Sequence, residues 1–365
     1  MSSAGTAPES ICIIRLSAIG DCCHTLPVVR TLQHHWPDTK ITWVIGKVER
    51  SLLEGVDGIE FITFDKSKGF AAYGDVRRQL KGRRFPLLLH MHASMRANWV
   101  SIMIRANRRI GFDRKRARDY QWLFSGERIP ARAKQHVMDG LFEFPEYLGI
   151  KERTLRWDIP ITPSDNEYAR RMGETDGPLV IISPCSSDRF RNYRNWSIAN
   201  YIKIVNHLRD KYYARIVLTG ADTPIEQKYG SQIAAGANAD VINLVGQTSL
   251  KGLLAMMDRA SLVICPDSGP AHMAAATGTP VVGLYATSNR HRTGPYFSQD
   301  LVADRYPEAV KKEFNRSIDS LRWGQRVRDP AAMDLITLED VIEKVDTALA
   351  PDYAHPQPRQ PLTVE

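Results

Sequence analysis

The feature that most constrains this chain is a strand, a tight turn and a short alanine-rich helix within residues 262–276. The apolar run Leu262–Cys265 predicts a buried parallel strand, and a second such run, Val281–Leu284, follows the helix. Gly269 in the turn permits close approach of the backbone to a ligand, and Pro270 suits the first helical turn. The N-terminus of a helix in such a βαβ unit favours anions, most often phosphate. A capped helix that binds no ligand fits the same pattern.

A second glycine-bearing turn, at Gly20, also follows a predicted strand, Ile11–Leu16. Strands and helices alternate from there to residue 148, and the alternation resumes at residue 179. This order of elements predicts parallel sheets with helices on both faces. We therefore predict an α/β fold of two Rossmann-like domains with parallel sheets, one in residues 1–156 and one in 179–350.

The segments between and after these domains are less regular. Residues 157–178 contain three prolines and many polar residues, which indicates an interdomain linker. Residues 351–365 are proline-rich and are expected to form a disordered tail, and no elements are assigned to 297–330. Open α/β sheets bind ligands beyond the carboxyl ends of their strands, so both glycine-bearing turns are expected to face the cleft between the domains.

Composition and charge indicate a globular protein with an anionic partner. Hydrophobic residues make up 43% of the chain, and no apolar run reaches the ~20 residues that span a bilayer. The five cysteines lack metal-ligand spacing and the first ten residues lack a basic cluster, which favours reduced thiols in the cytoplasm over secretion. The net charge of +8 fits nucleic acid, an anionic membrane surface or a phosphorylated substrate, but no nucleic-acid-binding motif occurs. Basic residues concentrate in the segments Arg105–Arg118 and Arg189–Arg194.

Two motifs carry a family resemblance. Residues Arg15–Pro27, RLSAIGDCCHTLP, resemble the N-terminal signature of the heptosyltransferases, glycosyltransferase family 9, and Asp267–His272, DSGPAH, resemble the nucleotide-sugar signature of that family. The resemblance extends from about residue 11 to residue 296, and Arg109–Asp113 is similar to the heptosyltransferase I branch. It implies the two-domain glycosyltransferase-B fold, in which the N-terminal half binds the acceptor and the C-terminal half binds the nucleotide sugar.

The resemblance implies a general base and an acceptor site in the N-terminal half. Asp21 corresponds to the family carboxylate that deprotonates the acceptor hydroxyl, and its place at a helix start favours the ionised form. An N-cap aspartate without a catalytic role also occurs at such positions. His24 lies one turn further along the same face, where it either lines the acceptor site or covers the helix surface. Arg114 and Arg116 are expected to bind anionic groups of the acceptor.

The C-terminal half is expected to hold the donor. Arg194 replaces the lysine of a Lys-x-Trp pattern in the family and is expected to neutralise the departing diphosphate. Glu226 matches a family glutamate near the nucleoside, with Asp222 as its rival, and Thr248 either matches a family loop near the base or caps the next helix. The diphosphate itself is expected to bind at Asp267, Ser268, Gly269 and His272.

The resemblance implies an inverting transfer of L-glycero-D-manno-heptose from ADP-heptose to 3-deoxy-D-manno-octulosonic acid (Kdo) on lipid A, in the inner core of lipopolysaccharide. Such an enzyme acts as a peripheral protein on the cytoplasmic face of the inner membrane. No Asp-x-Asp motif occurs, so neither a metal ion nor another cofactor is expected. The alternatives are transfer to a later core position or a different glycan acceptor, a glycosyltransferase-like protein without activity and, more remotely, a nucleic-acid-binding protein.

Overall fold

The computed structural model of the protein describes residues 6–174, 176–187 and 190–357, together with residues 362 and 364. Contacts between residues divide the chain into two compact units, Met1–Pro160 and Ile161–Glu365, which we call unit 1 and unit 2. Each unit is built around one parallel sheet of six strands. The predicted α/β class with two Rossmann-like parallel sheets is therefore confirmed.

Unit 1 alternates strands and helices along the chain. Its strands are β1 (Ser10–Ile14), β2 (Lys40–Gly46), β3 (Ile59–Phe64), β4 (Phe85–His90), β5 (Ala106–Gly111) and β6 (Glu127–Arg128). Its α-helices, among the described residues, are α1 (Ile19–His35), α2 (Lys47–Leu53), α3 (Ala71–Gln79), α4 (Met95–Ile102) and α5 (Val137–Tyr147). The strands lie in the order β3-β2-β1-β4-β5-β6, and all pair in parallel.

One of the two glycine-bearing turns follows the central strand β1 of the first sheet. Residues Ile11–Ile14 of β1 are completely buried, as expected for a parallel strand covered by helices on both faces. The strand order reverses between β1 and β4, and such a reversal opens a crevice beyond the carboxyl ends of the two strands, where open α/β sheets bind ligands. The loop from Arg15 to Ala18 leaves β1 at this edge, and Met91 leaves β4 beside it.

Unit 2 repeats this organisation. Its strands are β7 (Leu179–Ile182), β8 (Arg215–Leu218), β9 (Val241–Asn243), β10 (Leu262–Pro266), β11 (Val281–Tyr285) and β12 (Val302–Asp304). Its α-helices, within the described ranges, are α6 (Pro163–Gly173), α7 (Ile198–Tyr212), α8 (Pro224–Gly236), α9 (Leu250–Arg259), α10 (Gly269–Thr277), α11 (Arg290–Thr293), α12 (Tyr306–Phe314) and α13 (Leu338–Ala348). The strands lie in the order β12-β11-β10-β7-β8-β9.

The second sheet has its own point of reversal, between β10 and β7. The second crevice therefore lies beyond Pro266 and Ile182, and the DSGPAH motif begins there. Trp196 packs in the core beside it, completely buried, and its Nε1 donates to the carbonyl oxygen of Ile336 at 2.9 Å. This bond joins the segment before α7 to the segment before α13, which packs on α7.

The segment predicted as a linker, residues 157–178, is largely part of the two units. Trp157 is buried in unit 1, where its Nε1 donates to the carbonyl oxygen of Cys23 at 2.8 Å. Helix α6 occupies the middle of the segment and packs against α9 in unit 2. Pro163 misled the sequence interpretation, because it stands in the first helical turn, where the missing N–H costs nothing, with Thr162 as N-cap.

The structure also describes two segments outside the predicted elements, and the expectation of a disordered tail was wrong in part. The tail was expected to be disordered, but Tyr353 donates to Asp300 at 3.1 Å and His355 lies 2.9 Å from the hydroxyl of Ser298. The rest of the tail at 358–361, 363 and 365 lies outside the described residues. The unassigned segment 297–330 contains β12 and α12, which are too short to give a clear periodicity in the sequence.

Candidate active site

Asp21 stands in the first turn of α1, at the crevice edge of unit 1. Its Oδ2 accepts a hydrogen bond from the Ala18 N–H at 3.2 Å and forms an ion pair with Arg15. Oδ1 accepts no hydrogen bond from the described residues, and 33% of the side chain is exposed. The N-cap of the helix is Ala18, so the N-cap alternative for Asp21 is wrong. The carboxylate is held by one oxygen and presents the other.

Arg15 is itself fixed between the loops that follow β1 and β4. Its Nη1 donates to the carbonyl oxygen of Met91 at 2.7 Å, and its own carbonyl oxygen accepts from the Trp43 indole at 3.1 Å. The Leu16 N–H donates to Nδ1 of His92 at 3.1 Å. These bonds tie the two loops together at the point where the strand order reverses, and they fix the position from which Asp21 projects.

The electrostatics of this cluster favour an ionised Asp21 and a neutral His92. Burial raises the pKa of Asp21, but the Arg15 guanidinium and the Ala18 N–H outweigh burial and lower the pKa below its usual value. Burial and the positive charge of Arg15 lower the pKa of His92 to about 3. At neutral pH the cluster therefore offers a carboxylate that can accept a proton and an imidazole that keeps Nδ1 as an acceptor.

The histidine that ends β4 is held within unit 1. His90 is buried, with Nε2 3.1 Å from Oδ1 of Asn98 and Nδ1 3.0 Å from Nε2 of Gln121, and burial lowers its pKa to about 3. The described part of the chain contains no group of three or more His, Cys, Asp or Glu side chains placed to hold a metal ion. Nor does any helix within those residues have the length and apolarity to cross a membrane.

The three predicted acceptor residues have different environments. His24 is buried and packs edge-on against His136 with ring centroids 5.3 Å apart, so the alternative of a surface histidine is wrong. Arg114 is exposed and lies over the ring of Trp122, 4.7 Å from its centroid. Contact of these residues with the acceptor stays a prediction.

Arg116 is bound inside unit 1. It forms an ion pair with Asp113 and two hydrogen bonds with Glu143, at 2.9 and 2.6 Å, and the Glu143 side chain is only 2% exposed. Two carboxylates already neutralise this guanidinium, so its first role is to join α5 to the loop after β5. Sequence charge density did not distinguish it from Arg114, because the partner Glu143 lies 27 residues away.

The crevice of unit 2 contains an ion pair between Arg194 and Asp267. Nη1 of Arg194 donates to Oδ2 of Asp267 at 2.9 Å and also to the backbone carbonyl of that residue. Nε donates to Asn192 at 2.6 Å, and the Ser288 hydroxyl donates to Asp267 at 2.7 Å. Both charged side chains are nearly buried, at 10% and 7% exposure. Asp267 thus positions Arg194, whose Nη2 makes no hydrogen bond to a described residue.

A second arginine, Arg326, belongs to the same cluster and was missed from the sequence. The Val327 N–H donates to the carbonyl oxygen of Thr287 at 3.1 Å, which brings Arg326 to the loop that carries Ser288. Burial lowers the pKa of Arg326, and the charge of Arg194 lowers it further. The pKa of Asp267 is lowered although burial raises it, because Arg194 and Arg326 together outweigh burial. Two cations therefore lie near one carboxylate, so these three side chains together carry a net positive charge.

Helix α10 adds backbone donors to this cluster. Its N-cap, Ser268, donates its hydroxyl to the carbonyl oxygen of Pro266 at 3.0 Å and makes no side-chain bond to the N–H groups of the first turn. Those N–H groups, which begin at Gly269, carry the positive end of the helix dipole. His272 lies in the same first turn and is 9% exposed. The arrangement has the donors and the charge that a phosphate needs.

Glu226 and Asp222, the two candidates for contact with the nucleoside, lie together at the start of α8. Glu226 is nearly buried at the start of α8, where it accepts from the Ala221 N–H at 2.6 Å and from the Thr223 hydroxyl at 3.2 Å. Asp222 is exposed and accepts from Gln227 at 3.1 Å. Glu226 thus closes the turn that presents Asp222, and the choice between them stays open.

Thr248 does not cap α9. Its neighbour Ser249 is the N-cap and accepts from the Gly252 N–H at 2.8 Å, so the capping alternative for Thr248 is wrong. Its contact with the base stays a prediction. Of the basic segment Arg189–Arg194, Arg189 lies outside the described residues, and the backbone carbonyl of Arg191 accepts from Arg328.

Comparisons with known proteins show a family likeness over most of the chain. Residues 74–319 match the family model described as glycosyltransferase family 9 (heptosyltransferase). The lipopolysaccharide core heptosyltransferase OpsX of Haemophilus influenzae is 37% identical over 92% of this chain and 96% of its own length.

Two solved structures share the fold at lower identity. A family 9 glycosyltransferase from Veillonella parvula gives a TM-score of 0.77 at 21% identity, with coverage of 93% of this chain and 97% of that one. The ADP-heptose lipopolysaccharide heptosyltransferase II of Escherichia coli gives a TM-score of 0.69 at 19% identity, with coverage of 94% and 100%. The predicted glycosyltransferase-B type of fold is thereby supported.

Proposed function

The chain belongs to glycosyltransferase family 9, and from this membership we propose that it transfers L-glycero-D-manno-heptose from ADP-heptose to Kdo on lipid A. Two relatives suggest the substrates: the Haemophilus influenzae protein is a lipopolysaccharide core heptosyltransferase, and the Escherichia coli structure is that of an ADP-heptose lipopolysaccharide heptosyltransferase. The specific acceptor, Kdo, comes from the likeness of Arg109–Asp113 to the heptosyltransferase I branch.

The observation that carries the mechanism is the state of Asp21. Its Oδ2 is held by Arg15 and Ala18 at the sheet edge where ligands bind, while Oδ1 is available to a hydroxyl. In the proposed reaction Oδ1 accepts the proton of the acceptor hydroxyl as the hydroxyl oxygen attacks the anomeric carbon of the heptose. The bond from that carbon to the phosphate oxygen breaks, and ADP leaves with the electron pair. A single displacement of this kind inverts the anomeric centre.

The low basicity of a carboxylate limits when the proton can move. A carboxylate stabilised by Arg15 is a weak base, so it does not deprotonate a free sugar hydroxyl before bond formation. The hydroxyl becomes strongly acidic as its oxygen bonds to the anomeric carbon. Proton transfer to Asp21 is therefore expected to follow the start of glycosidic bond formation.

Unit 2 supplies the stabilisation of the leaving group. The diphosphate of ADP gains negative charge as the sugar departs, and groups that bind this charge more strongly in the transition state accelerate the reaction. We assign this role to Nη2 of Arg194, to Arg326 and to the first-turn N–H groups of α10. Ser268, Gly269 and His272 line the same turn, and Asp267 acts by holding Arg194.

The acceptor would be bound by unit 1. Kdo and lipid A carry carboxylate and phosphate groups, and the exposed guanidinium of Arg114 is suited to bind them. His24 is placed one helical turn after Asp21. A lipid-borne acceptor also requires the enzyme to work at a membrane surface, which is the reason to propose a peripheral location on the cytoplasmic face of the inner membrane.

The test is ADP release from ADP-heptose in the presence of deacylated Kdo–lipid A. Wild-type protein should release ADP, and Asp21→Asn should lower kcat/KM by at least ~10²-fold, the usual scale of general base catalysis. Asp38→Asn, a change of an exposed aspartate in the same unit, is the matched control and should leave the rate unchanged.

Each failure would correct a different part of the proposal. If ADP-heptose binds but Kdo–lipid A does not accept the sugar, acceptors that already carry heptose should be tried, and transfer to one of them would identify a later core position. If ADP-heptose does not bind, the donor assignment is wrong. Equal rates for wild type and Asp21→Asn would remove Asp21 as the base.

A further inference from the structure

Helix α4 in unit 1 carries large apolar residues on its solvent face. Met95, Trp99 and Ile102 are separated by four and three positions, so they share one face of the helix. Between 39% and 51% of each of these residues is exposed. The opposite face, which includes Ala97 and Val100, is buried in unit 1. A contiguous patch of exposed apolar residues on a protein surface often marks a site that contacts a partner or a membrane.

A neighbouring 3-10 helix, Arg118–Leu123, is hydrogen-bonded to α4 and is kinked at Asp119 and Tyr120, which have positive φ angles. Nδ2 of Asn98 in α4 donates to the carbonyl oxygen of Asp119 at 2.6 Å. Gln121, which is completely buried, donates to the carbonyl oxygen of His90 at 2.7 Å. The two elements therefore form one fixed surface of unit 1.

The 3-10 helix extends the apolar surface of α4. Tyr120 and Leu123 are each 63% exposed, and the ring of Phe124 lies 6.5 Å from that of Trp99. We call the exposed side chains of these two elements the apolar face: Met95, Trp99, Ile102, Tyr120 and Leu123. A tryptophan, a tyrosine and three aliphatic side chains are the residue types that lie at the boundary between lipid headgroups and acyl chains.

The segment that carries this face is rich in positive charge. Residues 95–124 contain eight arginines and lysines but two aspartates. This segment therefore contributes most of the net charge of +8 of the whole chain. Arg108, Arg109 and Arg116 donate hydrogen bonds to oxygen atoms within unit 1, so they add little free charge to the surface. Apart from Arg108, which is paired with Glu127, the exposed cations of this segment are Arg96, Arg105, Arg114, Lys115 and Arg118.

Helix α4, which carries part of the apolar face, begins close in sequence to the residues that hold Asp21. Helix α4 begins with the N-cap Ser94, two residues after His92. Nδ1 of His92 bonds the Leu16 N–H in the loop that carries Asp21. A bilayer against α4 would therefore bring lipid headgroups to the part of unit 1 that holds the proposed base.

We propose that the apolar face and its five exposed cations form a docking surface for an anionic lipid bilayer. The aromatic and aliphatic side chains enter the headgroup region, and the arginines and Lys115 bind lipid phosphates. The chemistry fits a bilayer better than a protein groove, because exposed cations share the elements of the apolar face: Arg96 lies in α4, Arg118 begins the 3-10 helix, and Arg114 lies over Trp122. The proposal rests on the proposed function only in giving a lipid-borne acceptor a route to Asp21.

The test measures flotation of the full-length protein with vesicles that contain no acceptor. Binding to mixed phosphatidylcholine–phosphatidylglycerol vesicles should exceed binding to phosphatidylcholine alone, and added salt should weaken it because salt screens the cations. The double variant Trp99→Asp/Leu123→Asp should lower the vesicle partition coefficient by at least ~10-fold. Tyr213→Asp, at a residue of unit 2 that is 72% exposed, is the matched control and should bind like wild type.

A fluorescence measurement tests insertion itself. Vesicles should shift the tryptophan emission of wild type to shorter wavelength, and Trp99→Phe should retain binding but lose most of that shift. Flotation of the double variant equal to that of wild type, or equal binding of wild type to both vesicle types, would overturn the proposal. An unchanged spectral shift in Trp99→Phe would overturn the place of insertion.

Enzymatic assays separate this proposal from the proposed function. The double variant should keep wild-type kcat/KM with deacylated Kdo–lipid A and show a raised KM for Kdo–lipid A embedded in anionic vesicles. If wild type floats with vesicles but transfers heptose to neither acceptor, the proposed function fails and the docking surface stands. If it transfers to the deacylated acceptor but does not float, the docking surface is wrong and the function stands.

Discussion

Arg194 and Asp267 form an ion pair at the reversal point of one sheet, with Nη1 and Oδ2 2.9 Å apart, and Arg15 and Asp21 form its counterpart in the other sheet. The two pairs differ in what they expose. Asp21 is 33% exposed, whereas Asp267 is 7% exposed and also accepts from Ser288. The carboxylate is therefore the accessible partner in unit 1, and in unit 2 the carboxylate serves to hold the arginine.

We expect Arg15→Gln to move the acidic limb of the pH profile of kcat/KM to higher pH. Arg15 lowers the pKa of Asp21 against the effect of burial, so its removal raises that pKa. A base with a higher pKa is protonated, and inactive, over more of the acidic range. The rate profile of the variant is to be compared with that of Arg78→Gln, at an arginine whose side chain is 77% exposed. Coincident acidic limbs would show that Arg15 does not tune the base.

Arg194→Met should destabilise the protein by up to about 3–5 kcal/mol, because it removes one of the two cations beside the nearly buried carboxylate of Asp267 and leaves Arg326 to offset that charge. The double variant Arg194→Met/Asp267→Asn also removes the carboxylate charge and should recover much of the loss. Urea unfolding of both variants measures the difference, and Arg171→Met, at a 61% exposed side chain, should change the free energy of unfolding by less than about 0.5 kcal/mol. Equal losses in the single and double variants would contradict this account of the pair.

The same pair predicts a pH dependence of stability. The folded-state pKa of Asp267 is lowered, so its ionised form stabilises the fold above the unfolded-state pKa of about 3.9. This contribution is lost as the pH falls through the lower folded-state pKa. The difference in free energy of unfolding between wild type and Asp267→Asn should therefore be largest above about pH 4 and shrink in more acidic buffer. A difference that stays constant from neutral to acidic pH would refute the assignment.

Replacement of Arg114 should affect acceptor binding, whereas replacement of Arg116 should affect the stability of the fold. Arg114→Glu is expected to fold like wild type and to raise the KM of the acceptor by at least about fivefold, the value of one cation near an anionic lipid surface, without changing the Kd of ADP-heptose. Arg116→Ala is expected to lower the free energy of unfolding by about 3 kcal/mol, because Glu143 loses its partner while buried. Steady-state kinetics and thermal unfolding distinguish the two. Equal effects of Arg114→Glu on donor and acceptor would remove it from the acceptor site.

Sequence periodicity was sufficient for most of the fold. The buried runs at β1, β4, β7 and β10 appear as short apolar stretches, and parallel strands covered on both faces have that pattern. Helix α6 was read as a linker because proline and polar residues are shared by linkers and helix starts. Short elements such as β12 were missed because three residues do not establish a period.

The site could be predicted only in part, for a related reason. Asp21 and the DSGPAH turn could be proposed from the sequence because each lies in one short stretch between a strand and a helix, and their roles stay predictions. Arg326 was missed although the segment 322–328 contains three arginines, because charge density does not reveal which of them approaches Ser288 and Asp267. Thr248 was weighed as an N-cap when its neighbour Ser249 takes that position.

The amino-acid sequence by itself determined the local features of this protein: the strands and helices, the glycine-bearing turns and the excess of positive charge. Each depends on residues within about a dozen positions of one another, where backbone geometry and apolar spacing act directly. Only the tertiary structure decided which charges are paired. Arg194 meets Asp267 across 73 residues and Arg116 meets Glu143 across 27, and such partners are chosen by the order of strands in the sheet. That order determines which loops share an edge, and with it which side chains remain available to a substrate.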